Sequence, residues 1–460
     1  MKGLAADEER QRKRMLDTEQ LLNTWNKLSL ITERARREPQ CQFISLAHLL
    51  NERYLADCYH ALGKDRASGV DGVTWKEYSK RLDENLAELV VRMKAKQYKP
   101  QPNRRVYIPK DEHSRRPLGI PALEDKIVQK GMTNILEAIY EADFLDCSHG
   151  FRPGRGCHTA LQTVDRLIMT KPMNHIVEAD IKQFFDRVAH KRLIRYLQRR
   201  IKDPNFLLLI WRFLKAGYLE AGQVHETEEG TPQGGNLSPM LSNIFLHNVL
   251  DEWFEKELKP TMEGECQLVR YCDDFICMVQ YQREAELVKQ ALEKRFAACE
   301  LELHPEKTRV LSFGRFERDN ANQTGRRANT FDFLGFTHYC GLSRRGRFIV
   351  KRKTSRKKFW KKCQEMKAWL MAIRNRQPAK AWWGILRQKL TGHYCYYGIS
   401  GNMESIKRYY AVVIRMVRKW LNRRSQRKIY YWKRFLKYLR RFPLPLPRII
   451  VPIYTLATAK

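Results

Sequence analysis

Arg270-Tyr271-Cys272-Asp273-Asp274-Phe275 sets two adjacent carboxylates inside an otherwise apolar run. Leu268, Val269 and Tyr271 lead in, and Phe275, Ile276, Met278 and Val279 lead out. Two short β-prone segments around an acidic pair predict a hairpin. Neighbouring aspartates at such a tip repel one another and lose hydration unless a cation joins them. Mg²⁺ is the natural partner, because it is held by one or two carboxylates together with substrate phosphates. An isolated Asp-Asp is more often an ordinary turn, but the apolar flanks tip this one toward a metal-binding hairpin.

A third carboxylate, Asp180, ends an apolar strand over residues 175–181, 93 residues before Asp273. Many phosphoryl-transfer sites use two metals about 3.5–4 Å apart to clamp the attacking and leaving oxygens. Carboxylates from two neighbouring strands are what such a clamp needs. Asp186, beyond Phe184-Phe185, reads instead as a turn cap or a partner of basic residues.

At 460 residues, with 43% hydrophobic and 11% aromatic side chains, the chain can build two or three domains with real cores. Its net charge of +35 is lopsided. Residues 341–460 hold 33 Lys and Arg against only Glu365 and Glu404, a net of +31, which leaves +4 for residues 1–340. Rings such as Phe359, Trp360, Trp382, Trp383, Tyr394, Tyr396, Trp420 and Trp432 are interleaved with that charge. Cations for phosphates plus rings for packing or stacking make a polyanion-binding composition, whose binding is expected to depend steeply on salt. A solvated basic face over an aromatic core is the blander form of the same pattern.

A membrane role finds no support, because no apolar stretch reaches about 18 residues and residues 1–14 are charged where a signal peptide would be apolar. Eleven cysteines are scattered singly, without Cys-x-x-Cys or Cys/His pairs at zinc spacing. The expectation is reduced thiols in a cytoplasmic protein, with Cys272 and Cys277 as small apolar strand residues.

Along the chain, residues 1–40 read as charged and helical, and residues 75–96 as an amphipathic helix after the turn-rich segment 67–74. Short strands are expected at 106–109 and 117–121, and helices at 126–140, after the loop 151–156, and at 284–299. Ser238-Pro239 reads as a cap and first-turn proline of a helix running through Trp253. Residues 300–304 alternate like a strand, and residues 314–330 read as an exposed loop. Strands and helices mix up to about 340, and from about 355 onward only helices are expected. This is an α+β body with an appended basic helical domain.

Three blocks in order, Asp180-Ile181-Lys182-Gln183-Phe184-Phe185-Asp186, residues 230–239 (Gly-Thr-Pro-Gln-Gly-Gly-Asn-Leu-Ser-Pro) and Tyr271-Cys272-Asp273-Asp274, resemble the palm of reverse transcriptases. More narrowly the chain resembles a group II intron-encoded reverse transcriptase, or maturase. Supporting blocks are Ile108-Pro109-Lys110 with residues 116–121, His149-Gly150-Phe151-Arg152-Pro153-Gly154-Arg155, residues 304–308 and Phe333-Leu334-Gly335-Phe336. Gly69-Val70-Asp71-Gly72 is similar to that family's N-terminal extension, and residues 393–398 and 421–427 to its thumb, called domain X.

The resemblance implies a right-hand polymerase with an antiparallel palm sheet. Its parts would be an N-terminal helical segment (1–64), an N-terminal extension of the fingers (65–104), fingers and palm (105–340), an all-α basic thumb (341–440) and a tail (441–460). It further implies that Asp180, Asp273 and Asp274, with the Ile181 carbonyl, bind two Mg²⁺. Lys110 and Arg116 would neutralise the triphosphate of a dNTP, Phe185 would exclude a ribose 2′-hydroxyl, and Gln233 would line the nucleotide pocket. Gly234-Gly235 would allow close backbone approach. Lys307, Phe333, Leu334 and Gly335 would hold the primer end, and Arg152 belongs with the primer–template set. Taken alone, Lys110 and Arg116 read equally as solvated loop charges, Phe185 as a core ring, and Gln233 as part of a turn.

The implied partners are an RNA template and RNA–DNA duplex, group II intron RNA, a DNA primer or target, and dNTPs. Two departures stand out. Cys272 occupies a place where the family usually has Ala, and the Cys/His-rich endonuclease block of some relatives is not seen, so an endonuclease-lacking type is expected. A splicing cofactor with a vestigial polymerase site, or a reverse transcriptase recruited to defence or repair, are the competing readings. The complete set of aspartates speaks against the first.

Overall fold

The computed structural model describes residues 26–109, 115–232, 234–424 and 429–453. Its strands are β1 (Asn103–Pro109), β2 (Arg115–Ile120), β3 (His175–Asp180), β4 (Tyr218–Glu220), β5 (Gln223–His225), β6 (Cys266–Tyr271), β7 (Asp274–Val279), β8 (Arg309–Ser312), β9 (Thr330–Phe333), β10 (Phe336–Leu342) and β11 (Phe348–Thr354). They form three sheets, ordered β2-β1-β4-β5, β6-β7-β3-β8 and β11-β10-β9. The helices that position the site are α1 (Leu123–Tyr140), α2 (Cys157–Thr170), α3 (Leu237–Leu246), α4 (Gln282–Ala297), α5 (Glu317–Gln323), α6 (Arg356–Ile373), α7 (Ala379–Tyr397), α8 (Met403–Asn422) and α9 (Trp432–Arg441).

The central sheet, β6-β7-β3-β8, is antiparallel throughout and covered on both faces. That explains why its strands read as nearly continuous apolar runs. Side chains alternate between faces with period two. Val177, Ala179, Leu268, Phe275 and Cys277 enter a core shared with α1, α3 and α4. Ile176, Val269, Ile276 and Met278 enter a second core with α2, β9, β10 and the C-terminal helices. The sheet is thus a divider between two cores, each with many side chains whose burial contributes about 1.5–3 kcal/mol apiece. By the same alternation Asp180 and Asp274 fall on the second face, toward the basic C-terminal helices.

Several expectations are corrected. The helix-only region starts at Arg356, close to the expected 355, but the all-α part drawn from 341 also takes in the end of β10 and all of β11, where Arg352 is buried. Residues 314–330 are not simply a loop, since α5 forms there. Its sequence is too polar to show a period, and the buried Glu317 accepts from Arg326 (2.6 Å) and from the Asn329 amide (2.7 Å). Residues 300–304 contribute only an isolated bridge, Leu303 to Ile181. α3 begins at Leu237, with Ser238 donating to the Pro232 carbonyl (2.6 Å) rather than capping. The helix then continues through π-helical turns at His247–Asp251 and Phe254–Leu258. Cys277 is the buried strand residue expected, whereas Cys272 sits in the hairpin turn at φ +56.

Candidate active site

The acidic pair lies where two strands meet. β6 and β7 pair from Cys266–Val279 up to Tyr271–Asp274, which leaves Cys272 and Asp273 as a two-residue turn. Such tight hairpins require a positive φ in the loop, here supplied by Cys272. Asp274 is the direct register partner of Asp180 across β3 and β7. Like charges directly opposite one another are destabilising, and the electrostatics show it. Burial, then the charges of Asp273 and Asp180, push the Asp274 carboxyl up to about 6. The Asp273 carboxyl is likewise raised, by burial first and with Asp180 adding to it, while Arg116 opposes the rise.

The surrounding cations answer that repulsion. Lys307 forms an ion pair with Asp180, and Arg309 one with the neighbouring Glu178. Lys358 and Lys307 both favour the charged form of Asp274. An oxygen-only carboxylate set at a point that demands positive charge suits a hard divalent cation. As these side chains stand, no three His, Cys, Asp or Glu donors among the described residues enclose one point.

Asp180 and Asp274 line the floor of a cleft of about 1140 Å³. Its far wall is basic: Lys357, Lys358, Lys361 and Lys362 recur on one face of α6, and Lys389 joins them from α7. Neither Lys358 nor its neighbours were singled out from sequence, although their i, i+1, i+4, i+5 spacing marks a helix face. The turn between β9 and β10 closes one end, with Leu334 at φ +48 and Gly335 at φ +81. Tyr396 of α7 donates to the Leu334 carbonyl (2.9 Å), and His158 of α2 donates to the Tyr396 carbonyl (2.8 Å). Phe333 is buried in the second core yet also borders the cleft.

The other sequence-derived positions divide. Arg116 lies exposed on β2 and close enough to Asp273 to lower its pKa. Ile181 is buried behind Asp180. Phe185 is half-buried against Phe184 (ring centroids 5.4 Å apart) and borders a second cavity of about 230 Å³ with Pro117, Gly119, Gly230 and Pro232. Gly234, at φ +120, packs so tightly that a Cβ would lie 2.4 Å from the Gly119 carbonyl oxygen; its smallness serves loop packing. Lys110 and Gln233 lie outside the described residues. Arg152 is corrected. Its guanidinium is turned inward, paired with Glu141 (2.7 Å) and donating to the Leu145 and Ser148 carbonyls (2.7 and 2.9 Å), so it braces its loop and does not face the cleft.

Comparison with known proteins adds an independent observation. The sequence profile of the reverse transcriptase (RNA-dependent DNA polymerase) family matches residues 108–338. The group II intron-encoded protein LtrA of Lactococcus lactis subsp. cremoris is 44% identical over 208 residues, which is 45% of this chain and 34% of LtrA. Protein YkfC of Escherichia coli (strain K12) is 43% identical over 192 residues, 41% of this chain and 50% of YkfC. Nuclear intron maturase 1, mitochondrial, of Arabidopsis thaliana is 34% identical over 97 residues, 21% of this chain and 13% of that protein. The chain thus spans about a third to a half of the length of the first two of these relatives. No described helix is long and apolar enough to cross a membrane.

Proposed function

The chain belongs to the reverse transcriptase family, and from that premise we propose that it is an RNA-directed DNA polymerase that adds dNTPs to a primer 3′-hydroxyl on an RNA template. The observation that carries the reading is the Asp180–Asp274 register pair, with Asp273 in the adjoining turn, at the floor of a cleft whose opposite wall is lysine-rich. On this reading the central sheet is the palm, β1 and β2 belong to the fingers, and α6–α9 form the thumb. Two Mg²⁺ held by Asp180, Asp273, Asp274 and the Ile181 carbonyl would supply charge stabilisation of the attacking and leaving oxygens. Arg116, with Lys110, neutralises the triphosphate. Phe185 rejects the ribose 2′-hydroxyl and Gln233 lines the base and sugar. Lys307 and the Phe333-Leu334-Gly335 turn hold the primer end, and the lysines of α6 hold the duplex by its backbone.

Relatives named as an intron-encoded protein and an intron maturase support a second part of the proposal. The RNA bound in the cell is a group II intron, whose splicing and return to DNA the protein assists. The test is primer extension on an RNA template with Mg²⁺ and dNTPs, with Asp273→Ala alongside. Extension that disappears in the variant while RNA binding persists is the expected result. A wild-type chain that binds RNA tightly but never extends a primer would overturn the polymerase reading.

A further inference from the structure

Arg270 lies on β6 directly beneath the acidic turn and is 0% exposed. A guanidinium carries five N–H donors in a fixed fork, and here five acceptors meet them. Nε donates to Asp251 Oδ1 (2.7 Å). Nη2 donates to Asp251 Oδ2 (2.5 Å) and Ser148 Oγ (2.8 Å). Nη1 donates to Asn243 Oδ1 (3.0 Å) and to the Cys272 carbonyl (3.1 Å). The last acceptor is the backbone of the turn itself, one residue before Asp273. Asp251 is also 0% exposed and closes the π-helical turn that follows α3; such widened turns recur at functional sites.

Stability alone does not account for this arrangement. Dehydrating both ions costs several kcal/mol each, and well-packed apolar side chains of similar volume commonly serve a core as well or better. What no apolar pair can do is hold a carbonyl. Cys272 adopts a left-handed backbone that disfavours an L-residue by about 1–2 kcal/mol, and such conformations persist only where their surroundings over-determine them. Those surroundings converge here. Gly150 packs against the turn so closely that a Cβ would sit 2.6 Å from the Cys272 nitrogen. Its carbonyl accepts from Asn243 Nδ2 (2.7 Å). The Arg270 backbone is itself paired, donating to the Cys147 carbonyl (2.8 Å) and accepting from the His149 amide (2.9 Å).

We propose that Arg270, with Asp251, Asn243 and Ser148, is a positioning device for the metal-binding turn. It fixes the Cys272 carbonyl and so the directions in which Asp273 and Asp274 present their carboxylates. Arg270 is a positioning residue, reaching neither substrate nor metal. The inference rests on the reading of Asp180, Asp273 and Asp274 as metal ligands of a polymerase.

The test uses the full chain and three variants. Arg270→Met/Asp251→Leu removes the ion pair but keeps an apolar fill, Arg270→Lys keeps the charge but loses the fork, and Asp273→Ala is the reference. Thermal melting reports folding, electron paramagnetic resonance of free Mn²⁺ reports metal affinity without turnover, and single-turnover primer extension reports chemistry. Arg270→Met/Asp251→Leu is expected to melt close to wild type. Its Mn²⁺ affinity and its extension rate should each fall about 10- to 100-fold, the usual range when an outer-shell partner of a metal ligand is lost, with the KM for dNTP little changed. Arg270→Lys should show the same metal and rate defects. A folded double variant that matches wild type in both Mn²⁺ affinity and rate, while Asp273→Ala has lost both, overturns the positioning role and leaves the polymerase reading intact. A wild-type chain that neither binds Mn²⁺ nor extends a primer overturns both. Should the double variant fail to fold, Asn243→Ala, which cuts the tie to Gly150 and one acceptor of Arg270, carries the same test with the same outcomes.

Discussion

Replacing Asp165 by Ala strikes the joint between the central body and the C-terminal region. Asp165 lies on α2, and its carboxylate pairs with Arg352 of β11 at 2.5 Å, with the two side chains 7% and 0% exposed. Removing the carboxylate leaves a guanidinium in a fully dehydrated place, beside His338, whose own protonation burial and Arg352 already suppress. Breaking a buried pair from one side costs about 3–5 kcal/mol, whereas replacing both partners by apolar groups is often neutral or stabilising. At about 1.4 kcal/mol per factor of ten, the opening equilibrium of β10–β11 should rise roughly a hundred- to a few-thousand-fold. Amide hydrogen exchange over residues 336–354, followed by mass spectrometry, reads this directly. Asp165→Leu/Arg352→Met should restore protection to near the wild-type level. Exchange in Asp165→Ala within about threefold of wild type would refute the reasoning, because it would mean the pair contributes no more than an exposed one does.

Three further outcomes are expected. Lys357→Gln/Lys358→Gln should weaken binding of an RNA–DNA duplex and lower the slope of log affinity against log salt by up to about 1.8, since each phosphate contact contributes about 0.9; titrations at several salt concentrations check it. Phe185→Ala should admit NTPs, with the ratio of dNTP to NTP incorporation falling at least tenfold in single-nucleotide extension, while Asp273→Ala stays inactive with both. His149, buried and flanked by Arg155 and Arg152, has its pKa lowered from 6.5 to about 4. The unfolded chain therefore binds the extra proton between those values, and this histidine's share of stability is lost as pH falls from 6.5 toward 4, by up to about 1.4 kcal/mol per pH unit. Urea unfolding of His149→Gln should accordingly fall less steeply than wild type across that window.

The carboxylate turn was legible because its chemistry is local. Two adjacent aspartates inside an apolar run have few explanations, and the alternation along residues 175–180 already assigns Asp180 to one face. Arg152 misled for the opposite reason. Its sequence neighbourhood resembles a primer–template block, but which way a guanidinium points depends on Glu141, eleven residues back on the other side of a loop. α5 escaped notice because its seven residues bury little besides Ala321 and Glu317, so no apolar period exists to be read. Arg270 stood in plain view beside the acidic pair, yet three of the four residues that accept from it, Ser148, Asn243 and Asp251, are distant in sequence and are brought to it only by the tertiary structure. Local patterns survive translation into sequence, whereas networks closed by distant residues do not.

The division of charge has a consequence for how the parts act together. The floor of the cleft is acidic and its wall basic, and in the free chain the floor is answered by Lys307 on Asp180 and by the nearby Lys358. A nucleic-acid backbone entering the cleft draws those lysines toward its phosphates. The aspartates then lose their counter-charge just as another anion approaches, which favours the binding of divalent cations at the floor. Duplex and metal should therefore each raise the other's affinity, by the same factor in both directions as linkage requires. Because Lys307 and Asp180 are both partly exposed, their pair is worth no more than about 1 kcal/mol, so competition from Lys307 alone allows about a fivefold effect. Coupling well above that, measured as Mn²⁺ affinity with and without duplex, would locate the larger contribution in the phosphates themselves, which on the proposed reading would share the metals with Asp180, Asp273 and Asp274.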